Sequence, residues 1–408
     1  MSEACPRLAG SSQVESPGSM RLTAVDALRG AVMVIMALDH ARDFVHAGAM
    51  TFSPEDLTQT TALLFLTRWV THLCAPTFMF TAGLGAFFWW QRGKTRGQLS
   101  TYLLTRGLWL LLLEVTVMRL AYNFTLSGQY PMLLLVLWAL GACMVALALL
   151  VWVPRPLLAA MSLTAIALHN TLDGVTPADF ASWAGVWNLL HQPGAFSAGS
   201  MTLIVGYPLI PWMAVMTLGF CFGPVFLREG AVRRRWLTIA GAAAIVAFAA
   251  IRAINGFGDP VPWSVQDSPT LTALSMLNTT KYPPSLAFLL MTLGPALLLL
   301  AWFDRRPALP SLVVFGRVPL FYFVLHFFAA HAIAVLLAVV GYGSSVWRFA
   351  FHPVPSMGGP AALFPPQFGH GLGVVFLVWG LLVLGLYPLC HRFAALKATR
   401  RDWWLSYL

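Results

Sequence analysis

Ten runs of mostly apolar residues divide this chain, at Ala27–Val45 and at about 68–90, 102–122, 131–152, 156–171, 202–226, 235–254, 284–303, 317–340 and 371–390. A helix that crosses a bilayer needs roughly 20 such residues, and most runs meet that length. The fifth is short. Within lipid every backbone N–H and C=O must be satisfied inside the chain, so such runs are read as helices. Composition agrees: 58% of the 408 residues are apolar and 10% are charged, where soluble domains carry about 25% charged residues. A cytosolic globular enzyme, a disordered chain and a disulfide scaffold are excluded. The expected fold is all-α, a polytopic integral membrane protein of about ten transmembrane helices. Residues 1–20 are polar and read as a disordered tail, 21–395 as the transmembrane domain and 396–408 as a short cytoplasmic tail. The first run has no small-residue cleavage site behind it, so it reads as a signal anchor.

Basic residues set the orientation. With a cytoplasmic N-terminus, 17 of the 25 Lys and Arg residues fall at the inner ends of the runs or in inner loops. Each inner loop carries at least one, which predicts an N-in, C-in chain. The net charge of +10 therefore reads as cytoplasmic loop charge, and no nucleic-acid partner is expected. The longer outer loops, about 47–66, 172–200, 255–282 and 343–370, are rich in Trp, Pro, Gly and Asn. They leave room for caps over an outward-facing cavity.

Ionisable residues inside the runs are the informative ones, since each costs at least ~2.5–3.5 kcal/mol at mid-bilayer unless it is paired. In the first run Asp26 and Arg29 are three apart, as are Asp39 and Arg42, and His40 and Asp43. That spacing puts each pair on one helical face. Arg29 and His40 stand roughly 16 Å apart along an α-helix. A histidine with carboxylates at −1 and +3 is a candidate general base. Arg68 and His72 share a face of the second run, just before Pro76, which can kink the helix. The third run carries Glu114 at its middle and Arg119, Tyr122 and Asn123 at its outer end. Glu114 must be paired or protonated, and a structural role is expected of it. In the ninth run Tyr322 and His326 face the same way, while His331 is turned about 140° from His326, which argues against a simple metal pair. The five cysteines form no CxxC pair and read as small apolar residues. No metal site is expected. Walker, GxGxxG, HExxH and GxSxG motifs do not occur.

The segment from Arg21 through Asp26, Arg29 and Gly30 to Asp39, His40, Arg42, Asp43 and Phe44 resembles bacterial relatives of heparan-α-glucosaminide N-acetyltransferase. The stretches 71–78, 104–109, 207–212, 281–286 and 316–326 agree with that family in order, so the resemblance covers about residues 21–340. The spacing from Leu28-Arg29-Gly30 to His40 is also similar to the Leu-Arg-Gly…His pattern of membrane O-acyltransferases. The resemblance implies a multi-pass enzyme of the bacterial cytoplasmic membrane. Acetyl-CoA would be the cosubstrate, entering from the cytosol, and an amine or hydroxyl of an envelope glycan or amino sugar would be the acceptor. His40 is then the expected catalytic residue, with Asp39 or Asp43 orienting it. Arg42, His72, Arg119, Asn123, Tyr282, Tyr322 and His326 are candidates for the acceptor, and Arg29, Arg106 and Arg317 for the CoA phosphates. The family's histidine appears in the loop after the first span. Loop 47–66 has none here, so His40, His46 or His72 stands in. The sequence leaves two further matters open: whether the chain forms a homodimer, and whether it is instead a proton-coupled transporter or exporter of a small anionic or sugar-like solute.

Overall fold

A computed structural model describes residues 17–306, 309–400 and 402–407. The expected disordered tail lies outside the described residues as far as residue 16. Helices stand on all ten apolar runs. The first is α1 (Pro17–Val45). The second run is split into α2 (Ala62–Thr71) and α3 (Cys74–Trp90). The third comprises α4 (Arg96–Leu113), a π-helical turn at Glu114–Met118 and α5 (Arg119–Asn123). Then follow α6 (Val136–Leu150), α7 (Arg155–Leu168), the short loop helix α8 (Ala184–Leu190), α9 (Leu209–Phe222) and α10 (Gly230–Ile254). A second loop helix, α11 (Pro269–Leu277), precedes α12 (Leu286–Arg305), α13 (Pro310–Arg317), α14 (Pro319–Tyr342) and α15 (Leu372–Thr399). Among the described residues, six helical segments are long and apolar enough to cross a membrane by length and composition: Ala62–Trp90, Leu209–Leu227, Gly230–Ile254, Leu286–Arg305, Pro319–Arg348 and Leu372–Thr399.

Large apolar side chains remain exposed in rows along the outer faces of several helices. Leu104, Leu108 and Leu112 follow a four-residue helical spacing on α4, and Leu377, Leu381 and Leu384 follow spacings of four and three on α15. Such faces are costly in water and at ease in hydrocarbon. The chain is a mainly helical, multi-pass membrane protein.

The centre of the bundle is α1, which packs against α12, α13, α14 and α15. Its apolar middle, with Val32, Met33, Met36 and Ala37, lies in the largest buried cluster. Close approach to α13 depends on reciprocal glycines. A Cβ on Gly30 would overlap the carbonyl of Leu312, and one on Gly316 would overlap the carbonyl of Asp26. Small residues at such crossings let two backbones touch. The same device joins α3 to α9 through Gly83 and Gly219.

One element was not legible as helix or loop. A three-stranded sheet forms from β1 (Met132–Leu134), β2 (Gly194–Ala198) and β3 (Met201–Val205), in the order β1-β3-β2. β1 runs parallel to β3 with Leu133 opposite Ile204, and β2 pairs antiparallel to β3 with Phe196 opposite Leu203. These strands occupy stretches assigned to the ends of the fourth and sixth apolar runs and the loop between the fifth and sixth.

Candidate active site

The last two turns of α1 supply the site. Asp39 is buried, and both its oxygens are engaged. Oδ1 accepts from Arg42 Nη2 at 2.6 Å and Oδ2 from Arg68 Nη1 at 2.6 Å. Arg42 Nη2 also donates to Asp43 Oδ1 at 2.9 Å. Arg68 Nε donates to Glu55 Oε1 at 2.9 Å, and the same oxygen is 3.2 Å from His72 Nε2. The network works because α2 stops at Thr71 and α3 starts at Cys74. This break, with Pro76 in the first turn of α3, directs Arg68 and His72 toward the loop that carries Glu55.

All of these groups but His72 border a cavity of about 630 Å³. Asp39, Asp43 and Glu55 face Arg42, Arg68 and Lys281 around it, so three carboxylates balance three cations. Neutralisation of this kind is what makes buried charge tolerable. Among the groups that line the cavity outside the membrane-spanning segments, Glu55 and Tyr282 are displaced from their ordinary acidity. Burial alone would raise the Glu55 carboxyl, but Arg68 and His72 outweigh it and hold it well below the usual carboxylate range. Burial also opposes ionisation of Tyr282, yet Lys281 and Arg68 draw its phenol below the ordinary value.

His40 lies on the same cavity wall. Its Nδ1 is 3.4 Å from Asp43 Oδ2, an ion-pair distance without hydrogen-bond geometry. Its ring is centred 4.0 Å from Phe327 and 5.2 Å from His326. His326 is fully buried. Its Nδ1 donates to the carbonyl of Tyr322 at 3.1 Å, which leaves Nε2 with no hydrogen-bond partner. Tyr322 stacks on His326 at 5.3 Å. The helix spacings read from the sequence therefore meet: Asp39 with Arg42, His40 with Asp43, Arg68 with His72, and Tyr322 with His326. His331 diverges as expected, stacking on Phe124 with its Nδ1 donating to the carbonyl of Ala121.

Other expected residues stand elsewhere. Both oxygens of Asp39 are engaged by guanidiniums, and Asp43 is the carboxylate beside the imidazole. Arg119 turns into the following loop and donates to the carbonyls of Ser127 and Tyr130 at 2.6 and 3.3 Å. Asn123 is buried and does not border the cavity, and His72 meets it only through Glu55. His46 pairs through its backbone with His370. Glu114 accepts the Trp138 N–H at 3.0 Å in the first turn of α6, so a helix end, and no cation, satisfies it.

A second cavity, of about 220 Å³, continues toward the other end of the bundle. Arg29 and Arg106 line it together with Tyr102, Thr81 and Phe323. Phe78 and Val136 border both cavities and divide one from the other. Arg317 does not line it; its side chain is 57% exposed and lies 3.9 Å from Asp26. Reasoning from the sequence missed Glu55 and Lys281. Lys281 had a signal, being one of three lysines and the first residue of a Lys-Tyr-Pro-Pro-Ser stretch.

Residues 21–255 match the family described as heparan-alpha-glucosaminide N-acetyltransferase, catalytic. That is more than half of the chain, and the chain belongs to this family. It is accordingly a membrane enzyme of acetyltransferase type. The match includes His40, Glu55 and Arg68 and ends before Lys281 and His326. A search of curated proteins finds no match.

Proposed function

From that family membership and the paired cavities, we propose that the protein moves acetyl from cytosolic acetyl-CoA to an amine or hydroxyl of an extracytoplasmic envelope sugar. The observation that carries this reading is the meeting of the two cavities at Phe78 and Val136, with guanidiniums on one side and His40 with Asp43 on the other. Arg29 and Arg106 suit CoA phosphates, because guanidinium binds phosphate through paired N–H donors. The thioester end then reaches past Phe78 toward His40. Ten crossings with both termini in the cytosol, in a bacterial inner membrane, complete the arrangement. It is supported by the 17 inner basic residues and the helix on each apolar run.

In this mechanism His40 takes the proton of the acceptor amine or hydroxyl. The acceptor atom forms the new bond to the acetyl carbon, the C–S bond breaks, and the CoA thiolate leaves and is protonated. Asp43 stabilises the imidazolium that forms. Arg42 keeps Nε and Nη1 free of protein partners, and these donors are available to the thioester oxyanion. Glu55, Arg68, Lys281 and Tyr282 give the chamber the polar lining that a sugar needs.

The test is purified protein in vesicles, supplied with labelled acetyl-CoA and envelope glycan extract, with mass spectrometry of the glycans. Labelled acetyl on a sugar amine or hydroxyl is the expected result. Intact acetyl-CoA together with solute flux would support the transporter reading and overturn this one.

A further inference from the structure

Two buried histidines outside the site have no use in the acetyl-transfer mechanism. His169 and His191 are 3% and 0% exposed, and none of their four ring nitrogens has a hydrogen-bond partner. A neutral imidazole carries one N–H donor and one lone pair, and buried polar groups are almost always satisfied. Here the two rings meet edge to face, with centroids 5.8 Å apart and planes at 79°. Asp173 closes the group: its Oδ1 is 3.3 Å from His191 Nε2, and the three ligand atoms lie within 4.8 Å of one another.

We propose that His169, Asp173 and His191 form a divalent cation site that takes zinc, with water as the fourth ligand. Ligand atoms about 2.0–2.1 Å from a tetrahedral zinc stand roughly 3.3 Å from each other, which is the separation already present between His191 and Asp173. The donor set, two imidazoles and one carboxylate, suits a borderline metal. Asp173 is partly exposed on its side chain, so water can reach the remaining position.

The surroundings resemble the outer shell of a metal centre. Asn170 Nδ2 donates to Asp173 Oδ2 at 2.8 Å, fixing the carboxylate, while Asn170 Oδ1 accepts the Leu286 N–H at 2.8 Å. Gln192 Nε2 donates to the Asp173 carbonyl at 3.1 Å. A cation here would tie the end of α7, the loop before β2 and the first turn of α12 into one unit. None of its ligands borders the catalytic cavity, so the role is to hold the cap in place.

The experiment uses the full chain in detergent with any affinity tag removed, loaded with zinc, dialysed and analysed for metal. About one zinc per chain should be retained, and His191→Ala should hold none. Asn170→Ser should weaken zinc binding by roughly 10–100-fold, as outer-shell changes do. Cobalt-loaded wild type should show tetrahedral visible absorption that Asp173→Asn removes; this reading uses wild-type protein and does not depend on the alanine variant folding. Wild type that retains neither zinc nor cobalt overturns the proposal. So does metal content unchanged in both His191→Ala and Asp173→Asn.

Discussion

Replacing Asp43 by Asn separates the roles of the two carboxylates on α1. Asp43 Oδ2 is 3.4 Å from His40 Nδ1. At that separation and an effective dielectric of about 20, an imidazolium and a carboxylate attract by ~5 kcal/mol. The same carboxylate is shared with Arg42 at 2.9 Å, so roughly half of this, ~2–3 kcal/mol, is available to the developing imidazolium. Asp43→Asn should therefore lower kcat by roughly 30–160-fold, with the KM for acetyl-CoA little changed because the nucleotide end binds near Arg29. His40→Ala should cost more, ~10²–10⁴-fold for loss of a general base. Asp39→Asn should behave differently. It leaves the His40–Asp43 contact in place and removes the carboxylate between Arg42 and Arg68. Breaking a buried pair costs ~3–5 kcal/mol, but each guanidinium keeps a second carboxylate, Asp43 or Glu55, so the loss should fall at or below that range and appear in thermal melting. The assay is single-turnover acetyl transfer in vesicles beside melting curves in detergent. Asp43→Asn within twofold of wild type, with Asp39→Asn carrying the kinetic loss, would refute the assignment.

Four further outcomes follow from the same geometry. The folded Glu55 carboxyl is depressed, so the stability it lends is complete above the ordinary carboxylate range and is lost as pH falls toward its folded value. Melting scans stepped down in pH should show this loss, and Glu55→Gln should flatten it. Gly30→Ala forces α1 off the Leu312 carbonyl and should cost ~1–3 kcal/mol or more, measured as a lower melting temperature with reduced turnover. The double change Arg29→Ala with Arg106→Ala should raise the KM for acetyl-CoA far more than it lowers kcat; an unchanged KM contradicts the phosphate assignment. Single cysteines placed at Val175 and Ala231 should label from outside and from the cytosol respectively, and reversal of either overturns the topology.

The part of the site legible in the sequence is the part written on single helices. Asp39 with Arg42, His40 with Asp43, and Arg68 with His72 are three or four residues apart, and helical geometry alone puts them on shared faces. What periodicity cannot say is which face meets which. Both oxygens of Asp39 go to guanidiniums, one of them from α2, so the choice between Asp39 and Asp43 as partner of His40 needed the packed bundle. Glu55 and Lys281 sit in irregular loops with no repeat to phase them, and they reach the cavity only because the α2–α3 break and the start of α12 bring those loops together. Arg119 misled because a charge near a helix end reads the same whether it turns inward or caps its own loop. Glu114, expected to be paired or protonated, meets the open N–H groups at the start of another helix, which periodicity could not show. The histidine pair at His169 and His191 was hidden by a sheet whose strands look like apolar run and loop.

The ion pairs within α1 also bear on how the chain enters the bilayer. α1 is synthesised before the other helices described and carries Asp26, Arg29, Asp39, Arg42 and Asp43. Had these charges depended on later helices, each would have met lipid unpaired, at a cost that reaches ~2.5–3.5 kcal/mol at mid-bilayer. Instead Asp26 lies 3.4 Å from Arg29, and Arg42 contacts Asp39 at 2.6 Å and Asp43 at 2.9 Å, all on the one helix. These contacts can form as soon as the helix does. Arg68 then arrives with α2, and Arg317 much later with α13. The three-residue spacing that builds the site thus also makes its scaffold insertable, and Arg42→Ala should reduce the amount of protein in the membrane as well as its turnover, a loss visible in pulse-labelled insertion assays before any activity is measured.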